Sequence, residues 1–66
     1  MEYVTQEIAD DIVELAVKIN EAGLSGGIAL TAKSLTPFPE GFTIKSGYEI
    51  TREVGCVVIT ISVLPF

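Results

Sequence analysis

The side chains with the most capacity for chemistry in this sequence are carboxylates. Glu7, Asp10, Asp11, Glu14 and Glu21 recur at spacings that a helix would gather on its solvent side, with Lys18 as the one cation among them. Paired carboxylates can serve as general acid and base or hold a hard cation. An exposed helical row, however, lacks the low-dielectric pocket that adapts a carboxyl group to acid catalysis. The D-x-[DN]-x-[DN]-G pattern of a calcium loop is also missing. The chain contains no His and a single Cys, Cys56. That excludes an internal disulfide, an imidazole or thiolate zinc cluster and a cysteine–base pair. The sequence therefore predicts no catalytic residue, no metal and no cofactor: a protein that is not an enzyme.

Two binding constellations remain. In the first, Glu7, Asp10, Asp11 and Glu14 form an acidic helix face, joined by Phe38 from the loop "TPFPEG". Such a surface suits docking on a basic protein, or imitation of nucleic-acid phosphates by an inhibitor. Glu14 and Lys18 support the helix as an i,i+4 pair, whereas Glu7–Asp11 and Asp10–Glu14 repel mildly. The plainer reading of the same row is a solvated face. In the second constellation Lys33, Lys45 and Arg52 supply positive charge and Thr31 and Thr43 supply hydroxyls. These could bind a small anion or a nucleotide, above all if symmetry gathered several copies around one cavity. Cross-strand Lys–Glu and Thr pairs are also what any solvent-facing sheet uses.

The string Leu24-Ser25-Gly26-Gly27 is similar to the core of the signature motif of ABC-type ATPases, which opens a helix and meets phosphate with a favourable dipole. Here it follows a helix, Ile28 replaces the usual glutamine, and no G-x-x-x-x-G-K-[ST] stretch accompanies it. The sequence assigns it to a helix cap and connector.

The elements that must position these residues follow from periodicity. Ile8, Ile12, Leu15, Ile19 and Ala22 make one apolar stripe, widened by Val4, Ala9, Val13 and Ala16, which predicts a helix over 5–23. Thr5 is its expected N-cap and Gly23 its left-handed C-terminal residue, with Leu24 packing back. Strands are expected over 27–34, with Ile28, Leu30 and Ala32 on one face, over 42–51 and over 54–64. In the second strand Phe42, Ile44, Tyr48 and Ile50 share the apolar face, so Tyr48 is expected in the core or an interface, and Gly47 marks a bulge or bend. A turn at Arg52 and Glu53 would lead into the third strand, where Val57, Ile59, Ile61 and Val63 share a face and Cys56 is a buried, inert thiol.

The resulting fold class is α+β: one N-terminal amphipathic helix on a three-stranded, mainly antiparallel sheet in the order α-β-β-β. At 66 residues this is one domain, and such a chain buries only about 60% of the surface its unfolded form exposes. The apolar last strand must lie in the middle of the sheet or be completed by a second subunit, and core size favours self-association. A net charge of −5 disfavours nucleic acid and anionic membranes as partners. The N-terminal residues lack the pattern of a secretory signal, and no apolar run reaches spanning length. The expected protein is cytoplasmic, in a host cytoplasm if a phage or mobile element encodes it. It binds itself and either a basic protein, as an inhibitor or adaptor, or a small anionic ligand; a purely structural assembly subunit is the third possibility.

Overall fold

Helix α1 covers Gln6–Glu21, and local chemistry sets both of its ends. Thr5 is extended at the N-cap, and its hydroxyl accepts the Ile8 N–H at 3.2 Å. At the other end Gly23 takes φ +79. The Gly23 N–H then donates to the Asn20 carbonyl at 3.0 Å and the Leu24 N–H to the Ile19 carbonyl at 3.2 Å. These two bonds make a Schellman motif, which satisfies carbonyls that the helix leaves without partners. The Leu24 side chain, expected to pack back, is exposed instead. Thr5→Ala removes the N-cap acceptor and should cost about 1 kcal/mol. In a domain of this size that lowers Tm by roughly 4–8 °C, measurable by thermal circular dichroism.

The computed structural model describes residues 3–34 and 38–63; loop residues 35–37 and Leu64, the last position expected in the third strand, lie outside them. The sheet has four strands, β1 (Gly26–Ala32), β2 (Thr43–Ile44), β3 (Glu49–Val54) and β4 (Val57–Val63), in the spatial order β1-β4-β3-β2. β1 runs parallel to β4, while β3 is antiparallel to both β4 and β2. The fold is α+β as expected and the sheet is mainly antiparallel, but it has four strands rather than three, with β1 joining it in parallel. Placing β4 between β1 and β3 satisfies both of its backbone edges and buries Val57, Ile59 and Ile61 almost completely.

Four local expectations are also corrected. Residues 42–51 are not one strand. After β2 the chain reverses, with the N–H groups of Lys45 and Ser46 donating to the Glu49 carbonyl at 2.9 and 3.3 Å. The alternation survives the reversal because Ile44 and Ile50 are cross-strand partners and so face the same side. Gly47 sits in that reversal, and Tyr48, expected in the core or an interface, is exposed there and is not part of the core. The turn before the last strand lies at Gly55 and Cys56, so Arg52 and Glu53 belong to β3. Gly55 has φ +59 and Cys56 does not have positive φ, the pattern of a two-residue type II′ hairpin loop. The position at the tip of that hairpin leaves Cys56 exposed, not buried.

The core lies between α1 and one sheet face. Ala9 and Ala16 form the helix's contact line, with Ile12, Val13 and Ile19 packed beside it. The apolar stripe is thus rotated from expectation: Ile8 and Leu15 keep 37% and 51% of their surface. The helix lies over β4 and β3 rather than over β1. On the opposite sheet face the register builds polar rows: Thr31, Ser62 and Glu49; then Ala29, Thr60, Thr51 and Thr43.

Candidate partner-binding surface

With Ala9 and Ala16 facing the sheet, a rotation of about 100° per residue distributes the rest of α1. Glu7, Asp11, Glu14, Lys18 and Glu21 fall on the outer side. Gln6, Asp10 and Val17 fall on one flank, Ile8 and Leu15 on the other. Glu7, Asp10, Asp11, Glu14 and Glu21 are all exposed. The 3.9 Å Lys18–Glu14 pair joins two side chains about 70% exposed, and pairs of that kind contribute little. The row stays strongly negative.

Gln6 extends this surface beyond the helix. Its Nε2 donates to Asp10 Oδ1 at 2.9 Å, and its Oε1 accepts the Glu40 N–H at 2.9 Å. One carboxamide thus ties the loop around Glu40 to the carboxylate-bearing flank. Pro39 and Phe42 are buried on either side of that contact, while Phe38 remains 45% exposed. Phe38 precedes the tied Glu40 by two residues in the same loop. Sequence reasoning missed Gln6. The available signal was a carboxamide in the first helical turn, able to donate to a carboxylate and accept from a loop amide at once.

The cationic set is distributed differently. Thr31 lies in β1 and Lys33 just after it; Thr43 lies in β2 and Lys45 just after it. β4 and β3 separate these edges, a span of roughly 14 Å at the usual strand spacing. Arg52 shares the helix-side face with Ile50 and Val54, half-buried, its guanidinium filling the space where a side chain at Gly41 would begin. These residues do not converge on one site of the chain. Among the described residues no group of three or more His, Cys, Asp or Glu could hold a metal ion. At the connector, the Gly26 N–H is engaged by the Cys56 carbonyl at 3.2 Å, which starts the β1–β4 ladder.

What these features define is an α+β domain with an acidic helix surface tied through Gln6 to the loop that carries the exposed Phe38. No known protein family, curated protein or solved structure matches the chain. Among the described residues no helix is long and apolar enough to cross a membrane.

Proposed function

We propose that this is a non-enzymatic, self-associating binding protein, an inhibitor or adaptor that covers a basic site on a partner protein. The acidic side of α1 provides the electrostatic surface, and Phe38 provides the apolar anchor. The observation that carries this reading is the Gln6 bridge, which holds the Phe38 loop against the flank bearing Asp10. Carboxylates in such a row speed encounter with a cationic surface and select against acidic partners. A desolvated aromatic residue at the centre of the contact adds the short-range affinity that screened charges do not. Action in the cytoplasm fits the lone thiol at Cys56, which a reducing compartment would keep free.

The test is capture from a lysate of the source cell, followed by affinity measurement on the purified partner. The partner is expected to be basic, and its retention should fall steeply as salt rises. Joint replacement Asp10→Asn, Asp11→Asn, Glu14→Gln should weaken binding roughly 10- to 100-fold at low salt. Phe38→Ala should weaken it about 30-fold with little change in salt dependence. Equal binding by wild type and the triple variant would refute the acidic-face reading.

A further inference from the structure

We infer that the outer edge of β1 is the self-association surface, and that a second copy of this chain adds its own β1 to it antiparallel, about a two-fold axis at Ala29. The inference deepens the self-association part of the proposed function and does not depend on the acidic face. β1 ends the sheet, and no described residue pairs with the outer edge of Gly26–Ala32; the Tyr3–Ser34 bridge lies beyond the strand. Edge strands are normally blunted by charge, proline or a bulge. The seven residues Gly-Gly-Ile-Ala-Leu-Thr-Ala contain no charge and no proline, and they pair with β4 without a bulge.

Backbone geometry selects the register. The Gly26 N–H points to β4, since it donates to Cys56. Alternation along the strand then turns Gly26, Ile28, Leu30 and Ala32 inward to the ladder, and the N–H and C=O groups of Gly27, Ala29 and Thr31 outward. An axis at Ala29 pairs Ala29 with its own copy and Gly27 with Thr31, so every outward donor meets an outward acceptor. On the helix side the same axis sets Ile28 against Leu30 of the second copy. Both are only half-buried, because α1 leans over β4 and β3. The contact is self-complementary, as a two-fold interface requires.

Charge selects the β1 edge over α1 as the face that two copies share. The loop around Glu40 is tied to the Gln6 and Asp10 flank, so the flank carrying Ile8 and Leu15 faces β1. The helix carboxylates lie outward or on the far flank. Two copies joined at β1 therefore bring half-exposed Ile8, Leu15, Ile28 and Leu30 towards their counterparts and keep the acidic surfaces apart. An arrangement through α1 would instead oppose carboxylate to carboxylate.

Sedimentation equilibrium of the full chain across micromolar concentrations is the test. Wild type should show twice the 7.0 kDa chain mass. Ala29 is exposed, so Ala29→Glu should leave the monomer folded by circular dichroism. It sets like charges opposite each other at the axis and should raise the dimer dissociation constant at least 100-fold. Ala29→Lys should do the same, and an equimolar mixture of the two variants should regain dimer mass. Ala29→Pro removes only an outward N–H and should also give a folded monomer. A wild-type monomer throughout, or a dimer indifferent to both charged variants, overturns the inference. The Asp10→Asn, Asp11→Asn, Glu14→Gln protein should retain dimer mass, so a failure of partner binding and a failure of the β1 interface appear in separate measurements.

Discussion

Ile61→Ala is expected to unfold a substantial fraction of the protein without denaturant. Ile61 is fully buried in β4, with Leu30 of β1 and Ile50 of β3 as its neighbours on the same face. Replacements of this kind cost about 2–5 kcal/mol, the lost transfer energy plus the cavity. A chain of this size has a total stability of only about 3–10 kcal/mol. Val58→Ala supplies the control, because Val58 is in the same strand but faces outward and is 40% exposed; it should cost less than about 1 kcal/mol. Urea titrations at one fixed protein concentration separate the two, and the concentration must match because association adds to apparent stability. Equal losses at Ile61 and Val58 would mean that β4 is not the covered central strand.

Gly55→Ala should be nearly as damaging, for reasons of backbone and contact together. Gly55 has φ +59, where a side chain costs roughly 1–2 kcal/mol. A Cβ there would also overlap the Asn20 carboxamide. Asn20 Oδ1 accepts the Cys56 N–H at 3.0 Å, fastening the last turn of α1 to the β3–β4 hairpin. The added methyl group must displace Asn20 and break that bond, for a total loss of roughly 2–4 kcal/mol. A double-mutant cycle with Asn20→Ala isolates the contact. In the Asn20→Ala background the cost of Gly55→Ala should fall by about 1 kcal/mol or more, leaving the backbone part. Strict additivity would show that Gly55 and Asn20 act independently.

Both predictions concern the strand that was hardest to place from sequence. The alternation of Val57, Ile59 and Ile61 identified an apolar strand that had to be covered, either centrally or by a second chain. Central placement between a parallel and an antiparallel neighbour emerged only with the fold. The hairpin before it carried a readable signal, a glycine opening a two-residue loop, but Arg52 and Glu53 competed for the turn as adjacent charged residues. Arg52 stays in β3 because its aliphatic stem can lie on the helix-side face while its guanidinium reaches the open space at Gly41.

The candidate surface divides the same way. The carboxylates of α1 were legible because helical spacing alone sets which side chains share a side. That the Phe38 loop is tied to their flank was not, because Gln6 and Glu40 are joined across 34 positions of sequence.

What the sequence determined by itself is therefore the local part: a helix beginning after Thr5 and stopping at Gly23, an acidic outer side, and the facing of β1 and β4. Each of these depends on bonds or periodicities within a few residues of the chain. The tertiary structure decided the strand order, the split between β2 and β3, the exposure of Tyr48 and Cys56, and the lean of α1 away from β1. Those features depend on pairings between distant segments, where the winner is the arrangement that covers the most apolar side chains and leaves the fewest backbone groups unpaired. In this chain that arrangement satisfies both edges of β4 and places the uncharged strand β1 at an edge of the sheet.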